Sequence, residues 1–425
     1  MKRVLILGCN ELARRLLTEL CRYQSYVSGI CLASRKKEEC DELREVALQM
    51  GVRVTTAGID MNNVEGAMMM VRIFAPDIVV NLLPPDLALA AMDLAIKAKA
   101  DYIDGTLFGV PEFPSPISLL SKQFEKFSEF QNNCKTAVCG AGLVPGAANT
   151  IIRHASIYNF KKIESIDIIS VAGEGKEPAK GKKKDIDENL YSEDIKPPLI
   201  PVMKANDSKK VFYIEKGKVV ETDPLTIEGK SYSGSKVYLA SSPMLTDLLK
   251  EFPDSINVRY FMPGRKPAKE HIPPQKKIDF LREMGLLSDK PVKVNNVEVA
   301  PIDLIAAMLP KQSEINSDTK ETEEKAKGMA SFEIYITGQS KSEDKEITKS
   351  YVIQEDNDEC YEKYDTDAFD YMKGSALIAG VKLMCKDKWK KPGVFTPAAF
   401  DCDTYYQAFV MEGLEIKEGD GKRFN

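Results

Sequence analysis

Two hydrophobic spacings alternate over the first third of the chain. Residues 3–7 (Arg-Val-Leu-Ile-Leu) are a short apolar run. Gly8-Cys9-Asn10-Glu11 follows, and then Leu12, Leu16, Leu17 and Leu20 recur at helical spacing. A second apolar run, Tyr26 to Leu32, ends in Ala33-Ser34-Arg35-Lys36. This predicts strand, tight turn, helix, strand. Beyond it the pattern predicts a helix over 37–50, a strand over 52–56 and a helix over 62–74 that Pro76 stops. Residues 77–82 read as a strand buried on both faces. A helix over 86–99, a strand over 101–104, a long helix over 117–133 and a strand over 136–139 complete the series. Strands alternating with helices predict an α/β protein with an N-terminal Rossmann doubly wound parallel sheet, its crossovers right-handed.

The alternation stops at Cys139-Gly140-Ala141-Gly142-Leu143-Val144-Pro145-Gly146, which predicts a sharp loop at the sheet's carboxyl edge, followed by a helix over 147–158. From Ile163 the spacing turns toward two. Strands are expected at 166–171, 211–214, 236–239, 257–261 and 331–337, which suggests a second, α+β domain on a mixed or antiparallel sheet. Residues 173–187 and 311–327 are polar and charged and read as solvated loops. No internal repeat is visible.

Composition narrows the class. The 425 residues are 43% hydrophobic and 29% charged with a net charge of −5, so no basic footprint for nucleic acid stands out. No apolar run reaches bilayer length and no secretory leader is visible, so a cytoplasmic protein with no membrane partner is expected. Nine cysteines without Cys-x-x-Cys spacing predict reduced thiols. His154 and His271 are the two histidines, and no His/Cys cluster has metal-ligand spacing, so no metal is expected.

The candidate chemistry lies at the strand ends. The opening unit suits a dinucleotide, because backbone N–H groups at a helix N-terminus receive a pyrophosphate. The usual G-x-G-x-x-G/A turn becomes Gly8-x-Asn10-x-x-Ala13, with Asn10 in place of the second glycine. Glu11 and Leu12 open the helix. An acidic residue at the second strand's end favours NAD, whereas Arg accommodates a 2′-phosphate. Ser34, Arg35 and Lys36 therefore point to NADP(H). Asp60, Leu82, Leu83, Pro84, Thr106, Gly142 and Leu143 join the cofactor-binding set. Asp104, Cys139 and Gly142 are the catalytic candidates, and Pro145, Arg153, Arg259 and Glu359, with Asp356 and Asp358 beside it, are the substrate-binding candidates.

Ordered signatures then carry a resemblance. They include Ala33-Ser34-Arg35-Lys36, the 79–85 segment Val-Val-Asn-Leu-Leu-Pro-Pro, 101–106 Asp-Tyr-Ile-Asp-Gly-Thr and the 140–149 loop. Pro301 to Leu304, Met308-Leu309-Pro310 and Glu359-Cys360-Tyr361 follow. From about residue 3 to 416 the chain resembles the saccharopine-dehydrogenase-like reductases, especially the carboxynorspermidine (carboxyspermidine) dehydrogenases. The resemblance implies a Rossmann domain for NADP(H), a second substrate and dimerisation domain, a C-terminal segment that returns to the first domain, and a homodimer. The domains expected are 1–146 plus about 375–425, and 147–374. The implied reaction is reductive condensation of an amine, such as a small diamine, with an aldehyde such as aspartate semialdehyde, giving a secondary amine. The chain departs from the family at 238–245, where a Tyr-His-x-Glu-like stretch reads Tyr-Leu-Ala-Ser-Ser-Pro-Met-Leu. It departs again at 356–361, where a His is missing. A saccharopine- or opine-type dehydrogenase with another carbonyl substrate, and an NADP(H)-binding protein without turnover, stay open as alternatives.

Overall fold

The computed structural model describes residues 1–61, 63–105, 119–173, 211–222, 227–240, 245, 248, 252, 257–263, 280–281, 283–286, 288, 291–295, 297–301, 304 and 327–421. The first sheet is seven-stranded and parallel throughout. Its strands are β1 (Lys2–Leu7), β2 (Val27–Ser34), β3 (Thr55–Gly58), β4 (Ile78–Asn81), β5 (Asp101–Asp104) and β6 (Thr136–Val138). Their spatial order is 3-2-1-4-5-6, the order of a dinucleotide-binding sheet. Helices α1 (Glu11–Arg22), α2 (Lys37–Gln49), α3 (Val64–Phe74) and α4 (Ala88–Ala98) cross over between them. The strands run apolar, and Leu5, Ile6, Val79 and Val80 are all fully buried. Register then sets the strand ends side by side. Leu7 pairs with Ala33 and with Asn81, Asn81 pairs with Asp104, and Ile103 pairs with Val138.

Local chemistry shifts several boundaries from the predicted ones. The side chain of Asn63 accepts from the Gly66 N–H, so α3 starts at Val64 and not at residue 62. The third strand slides to Thr55–Gly58 because it pairs residue by residue with Cys31–Ser34. The single helix predicted over 117–133 is two within the described residues, α5 (Leu119–Phe124) and α6 (Phe127–Asn132).

The second sheet is mixed. Its long central strand β7 (Phe160–Val171) follows helix α7 (Ala148–Tyr158). Further strands are β8 (Val211–Glu215), β9 (Lys218–Thr222), β10 (Glu228–Lys230), β11 (Lys236–Leu239) and β12 (Asn257–Pro263). A separate hairpin, β13 (Val292–Val294) and β14 (Val297–Val299), stands apart from it. The strands β15 (Met329–Ser340) and β16 (Glu346–Asp356) form a long hairpin, and β15 lies antiparallel to β7 while β12 lies parallel to it. Strand β16 is longer than any sequence pattern in that region implies, because β15 supplies its full register from Met329–Asp356 to Gln339–Glu346.

The C-terminal elements are α8 (Asn357–Tyr364), α9 (Ala368–Cys385), β17 (Gly393–Phe395), α10 (Cys402–Met411) and β18 (Lys417–Asp420). They serve both sheets. Strand β17 extends the first sheet beside β6, and β18 pairs with β16 of the second. Helix α9 is apolar nearly all round and packs against α1, β4, β5, β15 and β16, as a helix buried on every face must. No described helix is long and apolar enough to cross a membrane.

One ion cluster ties these layers. On α9, Lys382 Nζ lies 2.7 Å from Glu19 Oε2 of α1 and 2.7 Å from Glu412 Oε1 just after α10. At Lys382 burial opposes the charge, but the two carboxylates outweigh it and raise its pKa. The carboxylates respond differently. At Glu19 burial opposes the charge, yet Lys382 holds the pKa down. At the more enclosed Glu412 burial wins and pushes it up. Removing the cation leaves Glu412 without its ion-pair partner and leaves Glu19 only the more exposed Arg22, at 2.8 Å. Lys382→Met is expected to lower the unfolding free energy by about 2 kcal/mol, between the costs of exposed and buried pairs. Urea denaturation reads the change, and adding Glu412→Gln should recover part of it. An unchanged midpoint would show that the cluster contributes nothing.

Candidate active site

The site begins with the turn after β1. Gly8 has φ +105°, a conformation that favours glycine, and a Cβ there would stand 3.2 Å from the Leu82 carbonyl oxygen. Its N–H donates to Ala33 O at 2.8 Å, and Leu82 N–H donates to Leu7 O at 2.9 Å. Three strand ends are thereby drawn together. Asn10 caps α1 by accepting from the Ala13 N–H at 3.0 Å. The N–H groups of Glu11 and Leu12, in the helix's first turn, have no intrahelical acceptor. They border a cleft of about 430 Å³.

That cleft is lined by Asn10, Glu11 and Leu12 on one side and by Asn81, Leu82, Leu83 and Gly105 at the sheet's carboxyl edge. Asn81 is buried, donates to the Tyr102 hydroxyl at 2.9 Å and accepts from the Leu83 N–H at 3.1 Å, which fixes the turn that Pro84 continues. The remaining wall was not foreseen from the sequence: Arg15, Thr366, Asp370, Lys373 and Leu377. Lys373 pairs with Asp370 one turn earlier on α9. The Arg15 guanidinium donates to Tyr371 O and Ser375 Oγ, and lies 4.3 Å from the Tyr371 ring centroid. Burial lowers the Arg15 pKa below its ordinary value.

At the second strand's end, the Ser34 hydroxyl donates to Lys36 O at 2.9 Å and accepts from Lys36 N–H at 3.1 Å. This local turn leaves Arg35 exposed beside it. Asp60 is exposed past β3, where its carbonyl accepts from the Asn63 N–H. Thr106 lies outside the described residues.

Asp104 is fully buried. Its Oδ1 accepts from the Gly140 N–H at 2.8 Å, and its Oδ2 accepts from the Tyr102 hydroxyl at 2.8 Å and Gln123 Nε2 at 2.5 Å. Its carbonyl also takes the Ala141 N–H at 2.7 Å. The carboxylate therefore staples the 140–146 loop to β5 and does not line the cleft. The loop is folded tightly: Gly140 has φ +70°, and a Cβ there would press on the Pro145 ring at 2.7 Å. Leu143, Pro145 and Gly146 are buried in it. At Gly142 a Cβ would meet the Gly105 carbonyl oxygen at 2.9 Å, so a larger residue pushes on backbone at the cleft's edge. Cys139 is buried behind Asp104; burial, then the Asp104 charge, pushes its thiol well up, so it stays protonated.

The other substrate candidates stand elsewhere. On β12, Arg259 faces Asp167 of β7 and binds it through Nε–Oδ1 at 2.6 Å and a second guanidinium contact at 2.7 Å. Arg153 on α7 lies over the Phe252 ring at 5.2 Å. Glu359 is exposed in the first turn of α8, pairs with Lys363 at 2.7 Å, and sits where Asp356 caps that helix. None of the three lines the cleft. Among the described residues, His154, Cys402 and Asp403 come within 4.8 Å of one another, but Asp403 is engaged by His154 at 2.9 Å and the Tyr158 hydroxyl at 2.5 Å.

This geometry can be set beside known proteins. Residues 4–138 match the saccharopine dehydrogenase NADP binding domain, and residues 257–420 match the saccharopine dehydrogenase C-terminal domain. Carboxyaminopropylagmatine dehydrogenase of Synechocystis sp. is 23% identical over 98% of both chains. Carboxynorspermidine synthase of Vibrio cholerae is 22% identical over 91% of this chain and 90% of its own. Saccharopine dehydrogenase (L-Glu forming) of Saccharomyces cerevisiae shares the fold, with a TM-score of 0.62 and 15% identity over 99% of this chain and 100% of that one. With its parallel nucleotide-binding sheet, mixed second sheet and matches to both domains, the chain is an oxidoreductase that belongs to the saccharopine-dehydrogenase-like reductases.

Proposed function

We propose that this protein is an NADP(H)-dependent reductase that joins an amine to a carbonyl compound and forms a secondary amine. The observation that carries the reading is the cleft at the sheet's carboxyl edge, where α1 presents its open N-terminus and α9 presents Lys373. The residues present fit a dinucleotide: the turn at Gly8 leaves no room for a Cβ, and the helix end is electropositive. Glu11 and Leu12 N–H groups hold the pyrophosphate, with Lys373 opposite as a counter-charge. Arg35 and Ser34 receive the 2′-phosphate. Leu82, Leu83 and Pro84 border the nicotinamide end, and the loop from Gly142 to Gly146 closes it. When bound, the cofactor supplies the hydride for the imine carbon. The protein's share of the work is placement, which counts for most in a reduction that needs little acid–base machinery.

Asp104 is a positioning residue in this scheme. It holds the 140–146 loop against β5, which sets the far wall of the nicotinamide end. The amine and carbonyl class is supported by the two relatives matched over nine-tenths or more of the chain, both named for carboxyalkylated amines. A diamine with aspartate semialdehyde is the first pair to offer. We further place the enzyme in the cytoplasm as a homodimer; its free cysteines suit a reducing compartment.

Three outcomes are expected. In direct binding, NADPH should bind more tightly than NADH. Arg35→Ala should weaken NADPH roughly ten-fold or more, the cost of a charge-assisted contact, and leave NADH unchanged; equal affinities in the unmodified protein would sink the cofactor choice. In spectrophotometric assays, NADPH should be oxidised only when amine and carbonyl compound are both present, with a secondary amine found by mass spectrometry. Turnover with a keto acid alone as the accepted carbonyl would favour the saccharopine- or opine-type alternative. Asp104→Asn exchanges an acceptor for a donor amid three donors. It should lower stability by about 1–3 kcal/mol in urea denaturation, with turnover falling in parallel. A variant as stable and as active as the parent would remove Asp104 from the scheme.

A further inference from the structure

Cys9 and Cys40 come from separate elements and meet at the cofactor turn. Cys9 stands between Gly8 and Asn10, and Cys40 is on the first turn of α2, just after the Ser34–Lys36 loop. Both are free thiols, with Sγ atoms 2.8 Å apart. The sulfurs of Cys31 and Met70, by comparison, are 3.8 Å apart. Cys40 is fully buried, whereas Cys9 is half-buried. A hydrogen bond joins the two thiols, and it pulls the Cys40 pKa down and pushes that of Cys9 up. Burial and Glu39 raise both, and the Ser34 hydroxyl lowers both. Two free thiols in direct contact are the arrangement that thiol–disulfide exchange uses.

We propose that Cys9 and Cys40 are a redox-modification site: a small oxidised disulfide, of the class of oxidised glutathione, converts them to a protein disulfide that ties the Gly8–Asn10 turn to α2 and weakens nicotinamide-nucleotide binding. The effect on binding rests on the cofactor reading given above. In the first step the pair gives up one proton to solvent, the remaining one moves along the Cys9–Cys40 hydrogen bond to Cys40, and the Cys9 thiolate bonds to one sulfur of the small disulfide, whose S–S bond breaks and whose departing thiolate is protonated by solvent. Cys40 Sγ then bonds to Cys9 Sγ, the mixed disulfide breaks, and the second small thiolate leaves with the Cys40 proton. The protein loses two electrons and two protons, and one small disulfide becomes two thiols.

The turn has no slack to absorb this. A disulfide holds its sulfurs at about 2.05 Å, nearer than they stand here. Gly8 is already bonded to Ala33 O and packed on Leu82 O. Drawing Cys9 toward α2 therefore moves the start of α1, whose first N–H groups face the cleft. By linkage, bound NADPH protects the thiols to the same degree.

The test uses the full-length protein, reduced and then exposed to oxidised glutathione. Peptide mapping should find residues 9 and 40 cross-linked, and in a Cys134→Ser background, which removes the exposed free thiol, thiol titration should show two thiols lost. NADPH should then bind at least ten-fold more weakly, dithiothreitol should reverse the loss, and saturating NADPH should slow the cross-link. Cys40→Ser should stop at glutathione on Cys9. No cross-link in the unmodified protein, or a complete cross-link with unchanged NADPH affinity, overturns the proposal. Reduced protein that binds no NADPH sinks the cofactor reading and the affinity effect with it, whereas the peptide map judges the disulfide by itself.

Discussion

A carboxylate taken out of water needs donors in place of the solvent it loses, and among the described residues Tyr102, Gln123 and Gly140 aim donors at the Asp104 side chain. Those donors come from β5, from α5 and from the loop after β6, so satisfying one buried charge fixes three elements at the sheet's carboxyl edge. The Gly140 N–H is the contact that matters most for the site. It turns the chain back over the sheet, where Gly140 stacks on the Pro145 ring and Gly142 lies against Gly105. With the Ala141 N–H bond to the Asp104 carbonyl, that staple holds the loop against β5.

The opposite wall depends on a different constraint. Helix α9 is buried on almost every face, so it must be wrapped by both sheets. Its first two turns emerge at the cleft, with Asp370 and Lys373, while its last turns reach α1 through Lys382 and Glu19. Arg15 bridges the same two helices, held by Tyr371 O and Ser375 Oγ. A site framed in this way couples the nucleotide sheet to the second sheet, because α9 packs on β4 and β5 as well as on β15 and β16.

The paired carboxylates around Lys382 and the ion pair of Arg259 with Asp167 show how placement decides a charge's role. Arg259 has the residue type wanted for a substrate carboxylate. Parallel register between β7 and β12 sets it directly opposite Asp167, and the bidentate pair occupies its guanidinium. Glu359 is likewise engaged locally, in a first helical turn where an acid suits the helix dipole.

Much of the first sheet is legible from the chain alone. Strand and helix spacings differ, the apolar runs 3–7 and 78–81 are short and bounded, and Gly8 and the Ser34-Arg35 pair sit at strand ends. These signals are local, so a sequence carries them without the fold. What periodicity reports is that a position faces a core, not which element covers it. Arg15 reads as the outer face of α1 until Tyr371, 356 residues away, packs on it. Leu377 and Lys373 reach the cleft because α9 packs against α1 and the sheet. The short strand Gly393–Phe395 has too few residues to show a pattern, and β6 beside it makes it a strand. The meeting of Cys9 with Cys40, and the burial of Asp104 under its donors, follow from strand register and helix packing between distant segments, which only the tertiary structure supplies.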